Sequence, residues 1–212
     1  MTILSKEELK KIRFKSIGEN CLISNKASFY GAERISIGNN VRIDDFCVLS
    51  AGAGGIEIGN FIHIAVYTSL IGGGKITLAD FSNISSRVSI YSSNDDYSGN
   101  NMTNPSIPTE FTNVTHADVI IKKHAIIGSG SVILPGVTIE EGAAVGALSL
   151  VNRDCEEFFI YAGNPAKKNK AKKQELTRQR KKIYANHSIK NPANAGFFIE
   201  SHQNNLQNKD RN

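Results

Sequence analysis

The residues best suited to acid–base chemistry lie in one short polar stretch, Tyr91–Tyr97. Asn94, Asp95 and Asp96 stand side by side there and are followed by Tyr97. A carboxylate beside a nucleophile can orient it or accept its proton. We therefore predict Asp95 and Asn94 to be catalytic, and Asp96 and Tyr97 to bind the substrate. The same residue types also favour an ordinary turn, which is the alternative interpretation.

Two histidines and an arginine flank this stretch. His116 follows it and His124 lies a little further along the chain, while Arg87 precedes it. Imidazole titrates near neutral pH, so either histidine is a candidate proton acceptor. We predict His116 to be catalytic, and His124 and Arg87 to contact the substrate. The alternative for each histidine is a surface side chain without a role.

Aliphatic residues recur every six positions through most of the chain. The pattern is clearest in Ile127–Val132, Ile133–Thr138 and Ile139–Ala144. A period of six fits neither a helix nor a plain strand, but it fits short strands joined by tight corners around a prism. The sequence therefore predicts an all-β fold, a parallel β-helix over residues 17–160 with six to seven coils. The residues that follow the period are Ile17, Ile23, Phe29, Ile35, Ile37, Ile43, Leu49, Ile58, Ile64, Leu70, Ile76, Leu78, Ile84, Ile90, Ile121, Ile127, Ile133, Ile139, Val145 and Val151.

The period fails between Ile90 and Ile121. That gap predicts a projecting loop over about residues 91–118, and long loops on rigid scaffolds commonly carry function. We expect residues 1–16 to form a helical lead-in and 161–186 a basic link and short helix. Residues 187–212 are polar and predict a weakly ordered tail.

Composition excludes several classes of protein. The 212 residues are 40% apolar and 21% charged, and no apolar run reaches the roughly 18 residues of a bilayer span. With no leader-like start, we expect a cytoplasmic protein. The three cysteines show no metal-binding spacing. The net charge is +5 because the segment from Ala166 to Lys182 carries +8 and the rest of the chain −3. So local a basic feature favours a small anionic ligand or a solvated tail over nucleic acid.

The segments Val119–Ile139, Ala144–Asp154 and Ala162–Ala166 closely resemble the hexapeptide-repeat acyltransferases. The resemblance is greatest to the sugar and galactoside acetyltransferase branch, and the chain is similar to nucleotide-sugar N-acetyltransferases such as perosamine N-acetyltransferase. This resemblance implies a left-handed β-helix with a short C-terminal helix, a homotrimer with active sites between subunits, and acetyl-CoA as co-substrate. No metal, nucleic-acid or membrane partner is implied.

The resemblance also implies a binding surface for coenzyme A. A pantetheine arm can follow a β-helix only where side chains are minimal, and phosphates need fixed cations. The alternative interpretation of the small residues is that they are corner residues of the repeat. The predicted cofactor-binding residues are Gly128, Ser129, Gly130, Gly146, Ala147, Ser149, Arg153, Lys167 and Lys168.

The chain departs from the family pattern at the loop, where members of this branch usually carry a histidine base and Asp95 stands here. A sugar hydroxyl without a base loses about 10²- to 10⁴-fold in rate, whereas a sugar amine with a pKa of about 8 keeps a neutral fraction at pH 7. We therefore expect N-acetylation of a nucleotide-linked amino sugar, GDP-perosamine-like, in O-antigen or lipopolysaccharide biosynthesis. The alternative is O-acetylation of a sugar hydroxyl with His116 or His124 as base.

Two other classes of protein remain as alternatives. Zinc carbonic anhydrases are also β-helix trimers, but they need three converging histidines, and the spacing of His63, His116 and His124 does not match them. A non-catalytic β-helix used for assembly would leave the loop without a purpose.

Overall fold

The computed structural model describes residues 1–173, 175, 179–180 and 182–184. One helix, α1 (Lys6–Ile12), precedes the strands, and single 3₁₀ turns lie at Ala32–Arg34 and Thr109–Phe111. The strands are β1 (Ser16–Ile17), β2 (Leu22–Ile23), β3 (Ser28–Tyr30), β4 (Ile35–Ile37), β5 (Arg42–Ile43), β6 (Val48–Ala51), β7 (Ile56–Ile58), β8 (His63–Ile64), β9 (Ser69–Gly72), β10 (Ile76–Leu78), β11 (Asn83–Ile84), β12 (Ser89–Tyr91), β13 (Ser93–Asn94), β14 (Thr115–His116), β15 (Val119–Ile121), β16 (Ile126–Ile127), β17 (Val132–Ile133), β18 (Thr138–Ile139), β19 (Ala144–Val145), β20 (Leu150–Val151), β21 (Phe159–Ala162) and β22 (Lys167–Ala171).

Three sheets form the faces of the prism. Sheet A has the order β1-β4-β7-β10-β15-β18, sheet B β2-β5-β8-β11-β16-β19-β21-β22 and sheet C β3-β6-β9-β12-β17-β20. Successive coils pair in parallel and in register, as Ile56 does with Ile76. The predicted fold class, a left-handed parallel β-helix, is confirmed.

The residues of the six-residue period form the core. All of them are buried except Ile17 and Phe29, which lie in the first coil and are partly exposed. Each strand turns one aliphatic side chain inward because alternate residues of a strand face opposite sides. Stacking the coils joins these side chains into one continuous column.

Each coil has three corners. The first corner joins sheet A to sheet B, the second joins B to C, and the third joins C to the A strand of the next coil. Non-glycine residues at the first and second corners adopt left-handed backbone angles, including Phe61, Phe81 and His124 at the first corner. Their rings stack with centroid distances of 4.9 and 5.1 Å, which offsets the unfavourable backbone conformation.

The two ends of the prism differ from each other. Helix α1 begins at a capping box in which Ser5 and Glu8 bond each other's backbone N–H groups. At the other end, Lys167–Ala171 forms strand β22, antiparallel to β21, where the sequence favoured a helix. Pairing with the last sheet B strand outweighs the helical preference of these lysines. The described residues from Glu175 onward are helical, and the predicted tail at 187–212 lies outside the described residues.

No helix within the described part of the chain is long and apolar enough to cross a membrane.

Adjacent isoleucines of β16 provide a test of the core. Ile127 is fully buried, whereas Ile126 on the outer face is 37% exposed. We expect Ile127→Ala to lower the free energy of unfolding by about 2–5 kcal/mol. Ile126→Ala is the matched control and should cost about 1 kcal/mol or less, because it leaves no cavity. Denaturant unfolding of both variants measures this, and equal losses would contradict the inward orientation of Ile127.

Candidate active site

The long loop leaves the prism at the third corner without disturbing the coils around it. Ile76 pairs with Ile56 in the preceding coil and with Val119 in the following one, although 20 and 43 residues separate them in sequence. The loop ends where the Asp118 carboxylate accepts a hydrogen bond from the Lys75 N–H at 2.8 Å. The loop is therefore an insertion seated on a continuous prism.

Three consecutive glycines, Gly72–Gly74, provide that seat. An added Cβ on Gly72 would lie 2.3 Å from the Ser92 Oγ, and one on Gly74 would lie 2.9 Å from the backbone of Ala117. Gly72 also has φ +149°, which L side chains rarely adopt. The glycines let both ends of the loop approach the prism closely.

A two-stranded antiparallel hairpin forms the base of the loop. Ser93 in β13 lies opposite His116 in β14, and Asn94 lies opposite Thr115. The Ser93 Oγ is 2.8 Å from the Nδ1 of His116 and accepts a hydrogen bond from the Gly73 N–H at 2.5 Å. The structure thus places Asn94 and His116 together, with Asp95 one residue beyond the pairing.

The two aspartates of the loop have different environments. Asp96 accepts hydrogen bonds from the Ser98 N–H and the Asn101 Nδ2, each at 2.7 Å. These bonds, that of Asn101 foremost, lower the pKa of Asp96 to about 2. Asp95 is exposed, and its carboxylate makes no hydrogen bond or ion pair with the described part of the chain. Asp96 holds the turn, which leaves Asp95 available to a ligand.

The remaining residues predicted to bind the substrate are dispersed. Tyr97 is 86% exposed on the loop. Arg87 lies at the second corner, with its guanidinium 5.9 Å from the Tyr67 ring centroid. His124 is buried at the first corner and stacks on Phe81. Within one chain, therefore, Arg87 and His124 do not lie on the corner that carries the loop.

The predicted coenzyme A-binding residues between positions 128 and 149 line the second corner of the last coils. An added Cβ on Gly128 would lie 2.5 Å from the Ala147 N, and one on Gly146 would lie 3.0 Å from the Ala162 Cβ. Coil spacing alone therefore requires small residues here. Ser129 and Ala147 are exposed and open to a ligand.

Ser149 is the buried member of this group. Its Oγ donates to the Gly146 carbonyl at 2.8 Å and accepts from the Gly163 N–H at 3.1 Å. Ser149 thus attaches the turn before Pro165 to the prism, a structural role beside the predicted one.

The predicted phosphate-binding cations are not equivalent. The Lys168 Nζ lies 2.6 Å from the Glu156 carboxylate and 3.7 Å from the Phe159 ring centroid. Arg153, at the third corner, and Lys167 are exposed and make no ion pair among the described residues. Arg153 and Lys167 are therefore the cations better able to meet an anion.

Thiol and metal chemistry find little support in the structure. Burial raises the pKa of Cys47 to about 11 and that of Cys155 to about 12, so neither is a thiolate nucleophile at neutral pH. The described residues contain no cluster of three or more His, Cys, Asp or Glu able to hold a metal ion. His63, in β8 of sheet B, is hydrogen-bonded to Asp44. It lies apart from the corners that carry His116 and His124.

Comparisons with known proteins assign this chain to a family. The chain is 62% identical over 167 residues to a dTDP-4-amino-4,6-dideoxy-D-glucose acyltransferase from Escherichia coli, covering 79% of this chain and 87% of the relative. The chain belongs to the hexapeptide-repeat acyltransferases. No family model matches it. The prediction that it is an acyltransferase is confirmed.

Other similar proteins extend this comparison. The N-acyltransferase AntD from Bacillus cereus, in complex with dTDP and 3-hydroxybutyryl-CoA, is 49% identical with a TM-score of 0.83, over 88% of this chain and 98% of AntD. A variant of AntD in complex with dTDP-4-amino-4,6-dideoxyglucose and coenzyme A has the same identity and score, over 87% and 97%. The putative lipopolysaccharide biosynthesis O-acetyl transferase WbbJ from Escherichia coli is 28% identical over 69% of this chain and 74% of WbbJ.

Sequence reasoning missed two features of this acyltransferase. Ser93 was not singled out, although it orients His116, because a serine in a polar loop has no distinctive spacing. Gly72–Gly74 was also missed, although three consecutive glycines one coil before the loop signal a close backbone approach.

The two loop aspartates lead to a prediction about pH. We expect Asp96→Ala to speed hydrogen exchange of the Ser98 amide several-fold, because that amide loses its acceptor. The pKa of Asp96 is lowered in the folded loop, to about 2. The ionised Asp96 carboxylate therefore stabilises the turn fully above the ordinary aspartate pKa of about 4. This stabilisation is lost as the pH falls toward 2.

Amide exchange measured by NMR between about pH 2 and pH 7 tests this, with Asp95→Ala as the matched control. The control should leave the Ser98 amide unchanged, since Asp95 makes no contact with it. Equal acceleration in both variants would contradict the division of roles.

Proposed function

We propose that this chain transfers an acetyl group from acetyl-CoA to the amine of a dTDP-linked 4-amino-4,6-dideoxy sugar. The observation that carries the proposal is the 62% identity to the dTDP-4-amino-4,6-dideoxy-D-glucose acyltransferase over 87% of that relative's length. Coenzyme A or an acyl-CoA, together with dTDP or the amino sugar, is bound in the AntD complexes.

The chemistry of the loop supports an amine rather than a hydroxyl as nucleophile. The neutral amine attacks the thioester carbon, the C–N bond forms and the C–S bond breaks. The amine gives up one proton to Asp95, and Asp95 returns that proton to the departing sulfur, so that coenzyme A leaves as the thiol. Asp95 is the exposed carboxylate that orients the amine and takes up its proton, and Asn94 stands beside it. A nucleophile with a pKa of about 8 needs no stronger base than this.

The nucleotide in this proposal is dTDP, whereas the sequence favoured GDP as in GDP-perosamine. The change follows from the relatives, whose names specify dTDP. The similarity to WbbJ supports a role for the product in an O-antigen or other lipopolysaccharide.

The proposal includes a homotrimer in the cytoplasm. Within one chain the coenzyme A residues at the second corner and the loop at the third lie on different edges of the prism. A second copy beside the first can bring one subunit's loop to its neighbour's small-residue corner. Both co-substrates are charged and do not cross membranes, which is the reason for placing the reaction in the cytoplasm.

A thiol-release assay tests the nucleophile. With acetyl-CoA, we expect turnover of dTDP-4-amino-4,6-dideoxyglucose and none of the analogue with a hydroxyl at C4. Asp95→Asn should lower kcat about 10²-fold, because the neutral amide cannot accept the proton. Glu110→Gln, which removes one charge from the same loop, is the matched control and should retain activity.

The same assay with other acceptor sugars and other acyl-CoA donors distinguishes the alternative functions. Turnover of the hydroxyl analogue alone would overturn N-acylation and favour O-acetylation with a histidine base. Preference for GDP-perosamine would overturn the choice of nucleotide, and preference for 3-hydroxybutyryl-CoA would overturn the choice of acyl group.

The exposed cation Arg153 leads to a separate prediction about the binding of acetyl-CoA. We expect Arg153→Ala to raise the KM for acetyl-CoA about tenfold, the loss of one charge-assisted contact, and to leave the KM for the amino sugar unchanged. Lys10→Ala, which removes an exposed charge from α1, should alter neither value. Steady-state kinetics measures both constants, and an unchanged KM for acetyl-CoA would remove Arg153 from the coenzyme A site.

A further inference from the structure

The hydrogen bonds around His116 favour one of the two neutral forms of its ring. The Ser93 Oγ already accepts a hydrogen bond from the Gly73 N–H, and its other contact is the His116 Nδ1 at 2.8 Å. Among the described residues, Nδ1 is the only acceptor that the Ser93 hydroxyl hydrogen meets. When the hydroxyl donates to Nδ1, the neutral imidazole carries its hydrogen on Nε2.

The ring is also fixed in position. Its Cε1 and Nδ1 atoms lie against Gly73, where an added Cβ would be 2.6 Å from each. Nε2 makes no hydrogen bond with the described part of the chain, and His116 is exposed. His116 therefore presents an N–H group, not a lone pair, to a ligand.

We propose that His116 is a neutral hydrogen-bond donor to the carbonyl oxygen of the thioester, and that Ser93 is its positioning residue. This inference rests on the proposed N-acyl transfer. It differs from the base that the sequence suggested, because the nitrogen able to accept a proton is already occupied by Ser93.

The placement of His116 and Asp95 on one hairpin agrees with this role. Ser93 lies opposite His116 in the hairpin, and Asp95 comes directly after β13, two residues beyond Ser93. A carboxylate that orients the amine and a donor on the same hairpin would serve the two atoms that change most, the attacking nitrogen and the carbonyl oxygen. As the C–N bond forms, negative charge develops on that oxygen, and the Nε2–H stabilises it. His116 neither gains nor loses a proton in the step.

Substitutions of His116 separate a donor from a base. Gln places an N–H group near the position of Nε2 but cannot act as a base at neutral pH, whereas Leu does neither. We expect His116→Leu to lower kcat about 10²-fold, as for loss of an oxyanion donor. His116→Gln should retain kcat within about tenfold of the wild type, with the pH–rate profile unchanged in shape and the KM for the amino sugar unaltered.

Two further variants test the positioning. Ser93→Ala should lower kcat, and Ser93→Thr, which keeps the hydroxyl, should restore it. Gly73→Ala keeps both side chains but displaces the ring, so it should reduce kcat while thermal unfolding shows a folded protein. Thermal unfolding of each His116 variant separates loss of fold from loss of catalysis.

The outcomes distinguish this inference from the proposed function. If the wild-type protein does not acylate the dTDP-linked amino sugar, the proposed function fails. If the wild type is active but His116→Gln is as slow as His116→Leu, or the loss falls only on the KM for the amino sugar, the donor role is overturned and N-acyl transfer stands.

Discussion

Parallel pairing of successive coils in a fixed register is the constraint on which the rest of the structure depends. It places equivalent residues of neighbouring coils directly above one another, so each inward position must be aliphatic and each corner must tolerate its neighbour. At the first corner the consequence is a stack that includes Phe81 and His124. At the third corner it is the run of three glycines, Gly72–Gly74, on which the loop rests.

The same constraint explains how a rigid prism supports chemistry. The coils have no freedom to form a deep pocket, so a reactive group must come from an insertion or from a neighbouring copy. The insertion here is attached at both ends, through Ser93 to Gly73 and through Asp118 to Lys75. Within it, hydrogen bonds commit Asp96 to the turn and leave Asp95 exposed. The loop can therefore present a carboxylate and an imidazole N–H from a fixed base.

The fold could be predicted from the sequence because the six-residue period follows directly from the geometry of the prism. The loop could be predicted because the period fails there. The separate roles of Asp95 and Asp96 could not, since both fit the same motif and only the contacts to Ser98 and Asn101 distinguish them. The burial of His124 could not be predicted either, because the sequence does not distinguish a histidine in an aromatic stack from one beside a ligand. Lys167–Ala171 was expected to be helical because pairing with β21 is a long-range effect that local propensity does not contain.

In the proposed function, the loop directs acyl transfer to a sugar nitrogen. The most direct measurement is NMR of the product formed by the wild-type protein from acetyl-CoA and ¹⁵N-labelled dTDP-4-amino-4,6-dideoxyglucose. We expect a single new ¹⁵N–¹H amide signal coupled to the transferred acetyl group, appearing at a rate that matches thiol release. An acetyl ester on a sugar oxygen, with the labelled amine left free, would contradict it.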